Sequence, residues 1–131
     1  MTKIALAVVI LVAVTGVGSA SPAGPTLYPH VYRAKIAGSG NPLLNATWLL
    51  SVQRTVFGLK RNGGTAVVGS VTVTGNKITF HDLGGPLSCR GAQVNGLYSW
   101  KVTGAKLTLT RFKDTCLGRR SVLAYAFTRI S

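Results

Sequence analysis

The side chains that could carry acid–base chemistry are few in this 131-residue chain. Asp82 and Asp114 are its only carboxylates, because the chain contains no Glu. Glycoside hydrolysis and two-metal catalysis both depend on sets of carboxylates held close together. Two acids leave little scope for such a site, so most hydrolase classes are disfavoured.

The remaining candidates for catalysis or metal binding are two cysteines and two histidines: Cys89, Cys116, His30 and His81. They complete no metal-ligand set at a standard spacing. The chain also shows no Ser-His-Asp order and no Cys-His pair of the kind that activates a nucleophile. We therefore expect a non-enzymatic protein that needs no metal and no cofactor.

The N-terminus has the pattern of an export signal. Met1–Lys3 carries one positive charge, residues 4–14 form an unbroken apolar run, and residues 16–20 are mostly small. This order predicts a secretory signal peptide over residues 1–20, with Ala23 as a weaker cleavage site. A membrane anchor is the competing interpretation, but the apolar run falls well short of the ~20 residues that a spanning helix needs. The mature chain is expected to be secreted.

Export determines what the cysteines do. In an oxidising compartment, the only two cysteines of a small domain are expected to form a disulfide, Cys89–Cys116. Neither sulfur is then available as a nucleophile or a metal ligand.

The charge balance is strongly basic, with fifteen Lys and Arg against two acids and a formal net charge of +13. The simplest interpretation is a well-solvated surface that keeps the protein soluble. Adhesion to an anionic cell-envelope surface, either polymer or lipid, is the second interpretation. Nucleic-acid binding is disfavoured, because the chain is exported and its aromatic residues are in phase with the apolar ones.

The pattern after residue 30 is that of short β-strands separated by turns. Residues 21–30 hold three prolines and are expected to be a flexible segment. Strands are predicted at 31–36, 47–53, 55–60, 65–74, 77–82, 94–102, 106–112 and 121–129. Residues 121–127 have a helical turn as an alternative.

Apolar and polar residues alternate along these strands, as Ile78 and Phe80 do with Lys77 and Thr79. Such strands have one apolar face and one polar face. Eight of them with short connections predict an all-β fold: a single small antiparallel up-and-down barrel over residues 31–131. A two-sheet sandwich is the alternative.

The order of the strands predicts which connections meet. Alternate connections of an up-and-down barrel lie at the same end, which brings together the connections that hold Cys89 and Cys116. The same end collects five basic residues, which form a candidate basic rim: Arg61, Arg90, Lys113, Arg119 and Arg120.

Several runs resemble a known family. They are Ala46–Trp48, Lys60–Gly63, Val71–Asp82, Gly85–Cys89, Leu97–Trp100, Leu107–Thr110 and Asp114–Arg119. In this order, over roughly residues 31–131, they resemble the small secreted bacterial lipocalin-like (calycin-type) domains. The chain departs from that pattern at Ala46, at residues 53–55 and in its high positive charge. The resemblance implies an antiparallel barrel with an internal apolar pocket and a disulfide between the two cysteines.

The strand phase suggests which residues would form that pocket. The candidates are Trp48, Phe80, Tyr98, Trp100, Leu109 and Arg111, with the two tryptophans expected first of all to fill the core. Asp82 is in phase with Phe80, so its carboxylate should point inward and needs a partner, for which Arg119 or Arg111 is suitable.

The sequence leaves two hypotheses about function. The first is a secreted monomer that binds a small hydrophobic or anionic amphiphilic ligand. The second is a non-catalytic cationic interaction protein that docks on anionic envelope polymers or lipids. A barrel cavity of roughly 300 Å³ or more favours the first, and a barrel filled by its own side chains favours the second.

Overall fold

The computed structural model describes residues 26–131, and this part of the chain is a closed β-barrel. Its strands are β1 (His30–Ile36), β2 (Ala46–Val52), β3 (Val56–Arg61), β4 (Gly64–Thr74), β5 (Lys77–Gly84), β6 (Asn95–Thr103), β7 (Lys106–Lys113) and β8 (Phe127–Arg129). Each strand is antiparallel to the next, and β8 pairs with β1 to close the ring. The predicted up-and-down barrel is confirmed, and the sandwich alternative is wrong.

Local sequence explains the tight connections of the barrel. Asn62 and Gly63 join β3 to β4 with φ values of 49° and 82°. Asn and Gly adopt positive φ at low cost, so they favour the two-residue turn of a hairpin. The Asn62 side chain also accepts a hydrogen bond of 2.9 Å from the backbone N–H of Thr47 in β2. The turn is thereby tied to the neighbouring strand.

The chain between β7 and β8 is where helix and strand compete. Helix α1 (Leu117–Leu123) occupies this connection, and β8 is only three residues long. The helical alternative for residues 121–127 is thus closer to the structure than a continuous strand. A helix allows Val122 and Leu123 to face the core together, which period-two alternation would not do.

The N-terminal residues were expected to be loose, but the part that the structure describes is packed. Leu27 is 2% exposed, and its carbonyl accepts a 2.6 Å hydrogen bond from the Tyr32 hydroxyl of β1. Leu27 therefore belongs to the core, and Tyr28 packs against it. The predicted signal peptide (1–20) and residues 21–25 lie outside the described residues.

The barrel interior is a single apolar core. All eight strands contribute inward side chains, among them Tyr32, Trp48, Leu50, Phe57, Val71, Ile78, Phe80, Tyr98, Leu107, Leu109 and Phe127. Phe80 lies edge-on to both Phe57 and Tyr98, with centroid separations of 5.0 and 5.7 Å. Among residues 26–131, no helix is long and apolar enough to cross a membrane.

The two ends of the barrel differ. One end, which we call the disulfide end, carries the connections 37–45, 62–63, 85–94 and 114–126, and the opposite hairpin end carries 53–55, 75–76 and 104–105. Cys89 and Cys116 form the predicted disulfide with a Cα–Cα distance of 6.0 Å. It joins the connection after β5 to the residue that precedes α1.

Candidate functional site

An apolar cavity of about 270 Å³ opens at the disulfide end of the barrel. Its wall is formed by inward side chains of β2 to β5: Trp48, Leu50, Phe57, Leu59, Val67 and Phe80. Its mouth is formed by Leu43 and Leu44 before β2, Leu87 after β5, and the residues of α1. The barrel is therefore not entirely filled by its own side chains.

Helix α1 covers this end because β8 is too short to reach it. β8 pairs with β7 only at Lys106 and Leu107, and with β1 only at Tyr32 and Arg33. The chain before Phe127 continues toward the disulfide end as α1 instead of as a strand. The helix contributes Leu117, Val122 and Leu123 to the cavity lining.

A buried ion cluster, which we call the triad, is formed by Asp82, Asp114 and Arg119. Two of its members, Asp82 and Arg119, line the cavity. Arg119 Nε lies 2.8 Å from Asp114 Oδ2, and Arg119 Nη1 lies 2.9 Å from Asp82 Oδ1. A second contact of 2.8 Å from Nη2 to Asp114 Oδ1 makes the Asp114 pair bidentate. All three residues are at most 7% exposed.

The guanidinium of Arg119 is fully used by the protein. Its remaining N–H groups donate to the backbone carbonyls of Val94 and Gln93, both at 3.0 Å. Guanidinium has five N–H donors, and every one now has an acceptor. In residues 26–131, no buried side-chain nitrogen or oxygen lacks a hydrogen-bond partner. The triad therefore offers no free cation to a ligand.

The triad and the disulfide form one unit. The backbone N–H of Cys89 donates to Asp82 Oδ2 at 2.7 Å, and that of Cys116 donates to Asp114 Oδ1 at 2.9 Å. Each carboxylate thus holds one half-cystine in place. Together these bonds fix the connection 85–94 and the start of α1 at the mouth of the cavity.

The electrostatics of the triad follow from burial and from hydrogen bonding. Burial alone would raise the pKa of Asp114, but hydrogen bonds from Arg119, Tyr98 and the Cys116 N–H outweigh it and hold that pKa below its usual value. Burial would lower the pKa of Arg119, and the two carboxylates raise it instead. Burial, reinforced by the bond to Asp114, raises the pKa of the Tyr98 hydroxyl.

The triad also needs a glycine opposite it. A Cβ at Gly96 in β6 would lie 2.6 Å from Asp114 Oδ2 and 2.7 Å from Arg119 Nε. A side chain larger than hydrogen would therefore displace the ion pair. Sequence reasoning identified Asp82 as inward and Arg119 as a possible partner, but it missed Gly96 and Asp114. The sequence contained one signal for Asp114: it is the only other carboxylate in a strongly basic chain, and so a natural second partner for a buried arginine.

The five residues of the predicted basic rim do not lie at the same depth. Arg90 and Lys113 are exposed, and Arg61 and Arg120 are half-buried. Arg61 Nε donates to the Leu43 carbonyl at 2.8 Å, which places it beside the mouth. The prediction that Arg119 belongs to an exposed rim is wrong. Arg119 is buried, and both carboxylates of the chain pair with it.

The predicted pocket residues are divided among three places. Trp48 and Phe80 line the cavity. Tyr98, Leu109 and Arg111 line a shallower depression between β7 and α1, and Arg111 is exposed there, not paired with Asp82. Trp100 lines neither; it is half-buried, and its indole N–H donates to the Gly75 carbonyl at the hairpin end.

One group of potential metal ligands occurs within the described residues. Asp82, Cys89 and Cys116 place ligand atoms within 4.8 Å of one another. Both sulfurs are joined in the disulfide, whereas metals bind the free thiolate. The two Asp82 oxygens already accept hydrogen bonds from Arg119 and Cys89. The group is therefore a structural one.

Comparisons with protein-family models, curated proteins and solved structures give no match to this chain. The closed eight-stranded antiparallel barrel is compatible with a lipocalin-like fold. The disulfide is consistent with an extracellular protein.

Proposed function

We propose that this protein is a secreted, lipocalin-like monomer that binds a small apolar molecule inside its barrel. The observation that carries the proposal is the cavity of about 270 Å³ with a predominantly apolar wall. Its volume is slightly below the roughly 300–1,000 Å³ of pockets for drug-sized ligands. An engineered cavity of about 150 Å³ lined by apolar residues is enough to bind benzene. The expected ligand is therefore larger than benzene and smaller than a typical drug molecule.

The triad determines which part of a ligand would enter the cavity. Arg119 is neutralised by two carboxylates and donates all its hydrogen bonds to the protein. A buried carboxylate or phosphate of a ligand would find no free donor there and would lie near Asp82. The apolar part of an amphiphile is therefore expected inside, and any anionic head group outside, near Arg61, Arg90 and Arg120.

The same groups support binding over catalysis. Both carboxylates are held in ion pairs and both cysteines in the disulfide. General acid–base and nucleophilic catalysis each require such a group to be free to exchange a proton or to attack a substrate. The predicted signal peptide and the disulfide support secretion.

A titration with a neutral apolar fluorescent probe tests the proposal. Leu59→Trp adds a large ring to the cavity wall and should weaken probe binding at least tenfold, which corresponds to about 1.4 kcal/mol. Leu83→Trp makes the same change at a position that is 69% exposed and should leave binding unchanged. Equal affinity of both variants and wild type for the probe would show that the probe binds elsewhere.

The second candidate function is docking on an anionic surface. It is favoured by the burial of the only two Asp side chains in the triad, which leaves the surface with basic side chains and no Asp or Glu. This function is compatible with ligand binding.

A further inference from the structure

The mouth of the cavity is lined by exposed leucines. Leu43, Leu87 and Leu117 all line the cavity, and yet they are 52%, 37% and 63% exposed. They belong to three different connections of the disulfide end. Together they make an apolar ring around the opening, where a soluble barrel would be expected to present polar side chains.

Each leucine of this ring has a basic residue that contacts it or lies in the same connection. Arg61 is hydrogen-bonded to the Leu43 carbonyl. Arg90 follows Cys89, which the disulfide joins to the residue before Leu117. Arg120 shares with Leu117 the lining of the depression between α1 and β7. An apolar centre with a cationic surround is the arrangement by which peripheral proteins bind anionic membranes.

The described residues of the hairpin end do not show this combination. It also carries basic residues, such as Arg54 and Lys106, so positive charge alone does not distinguish the two ends. Its exposed large apolar side chains among residues 26–131, Val56 and Ile130, do not line the cavity described above. The strands are six or more residues long in β1 to β7, which separates the ends by about 20 Å, more than twice the Debye length of about 8 Å at physiological salt.

We propose that the disulfide end docks on an anionic lipid bilayer. The three leucines enter the interfacial region, and Arg61, Arg90 and Arg120 lie against the lipid phosphates. The cavity then opens directly onto the bilayer, so that an apolar ligand passes between hydrocarbon and cavity without crossing water. This inference rests on the proposed function for the ligand, but the docking itself requires only the surface.

Vesicle binding tests the charges. Purified protein is titrated with vesicles of phosphatidylcholine mixed with phosphatidylglycerol, and with vesicles of phosphatidylcholine alone. Arg90→Gln with Arg120→Gln should weaken binding to the anionic vesicles about 25-fold at low salt, since each basic residue at the surface contributes about fivefold. Arg54→Gln with Lys106→Gln removes equal charge at the hairpin end and should weaken it less than about threefold. Equal losses would overturn the proposal.

A second pair of variants tests the leucines. Leu43→Ser with Leu117→Ser should weaken vesicle binding about tenfold by removing apolar area that enters the interface. Val56→Ser with Ile130→Ser is the matched control and should have little effect. Long-chain polyphosphate has charge but no apolar phase. Its binding should therefore be the same for wild type, for the Leu43/Leu117 variant and for the Val56/Ile130 variant. Vesicle binding that is insensitive to the leucines would mean attraction to any polyanion and would overturn membrane docking.

These measurements separate this proposal from the proposed function. The Leu59→Trp variant, with its cavity filled, should still bind anionic vesicles like wild type. If the protein binds vesicles but no apolar probe, the proposed ligand-binding function is refuted and membrane docking is supported. If it binds the probe but no vesicles, membrane docking is refuted and ligand binding is supported.

Discussion

Removal of Arg119 should both destabilise the barrel and invert its pH dependence. Arg119→Met leaves Asp82 and Asp114 buried beside each other without a cation. Breaking a buried ion pair by removing one partner costs about 3–5 kcal/mol, and Arg119 also loses its bonds to two backbone carbonyls. We expect a loss of about 4 kcal/mol at neutral pH, roughly a 1,000-fold change in the folding equilibrium. The whole free energy of unfolding of a small domain is only about 5–15 kcal/mol, so this loss is a large part of it.

The sign of the pH effect follows from the two carboxylates. Without Arg119, burial is the strongest influence on Asp114 and is reinforced by repulsion from Asp82, so the folded-state pKa of Asp114 rises above that of the unfolded chain. The variant should therefore be most stable at low pH, and it should lose stability as the pH rises through that raised pKa. Urea unfolding followed by tryptophan fluorescence at acidic and neutral pH measures both effects, because Trp48 is 2% exposed in the folded state.

Two results would refute this reasoning about the triad. One is a loss below about 1 kcal/mol at neutral pH, within the range of a solvent-exposed pair. The other is a variant that loses stability on acidification as wild type does. If Arg119→Met does not fold, the triple variant Asp82→Asn/Asp114→Asn/Arg119→Met remains informative. It buries no charge and should recover more than half of the loss.

Three further predictions concern the same unit. Since the folded pKa of Asp114 lies below its ordinary value of 3.8, wild type should lose stability as the pH falls below about 4, and Asp114→Asn should lack that part of the acid dependence in urea titrations. Cys89→Ala with Cys116→Ala should lower the free energy of unfolding by about 3.5 kcal/mol with unchanged far-UV circular dichroism, because the bond spans 27 residues and joins connections, not strands. Gly96→Ala should cost about 2 kcal/mol in the same unfolding assay, because its Cβ would lie 2.6 Å from Asp114 Oδ2 and would displace the ion pair.

The sequence predicted the barrel because its local signals agree with one another. Alternation along the strands and turn residues such as Asn62-Gly63 each favour the same antiparallel arrangement. Parity of the connections then brought Cys89 and Cys116 to one end. The same logic was weakest at residues 121–127, where the side chains suit helix or strand equally. There the ion pairs of Arg119 and the disulfide at Cys116 are tertiary contacts that no local pattern encodes.

The site was only partly accessible from the sequence. Phase along β5 identified Asp82 as inward, because it continues the alternation of Ile78 and Phe80. Asp114 lies after the end of β7, where period-two reasoning no longer applies. Trp100 has the phase of an inward residue but lies near the hairpin end, away from the cavity. Cavity volume depends on how side chains of several strands pack together, so no single segment predicts it.

The most direct test of the binding proposal is native mass spectrometry of the secreted protein together with probe titration. We predict that the protein retains a small apolar compound, that an added apolar probe displaces it, and that Leu59→Trp abolishes its retention while Leu83→Trp does not. A protein that carries no such compound and binds no apolar probe in its wild-type form would contradict the account.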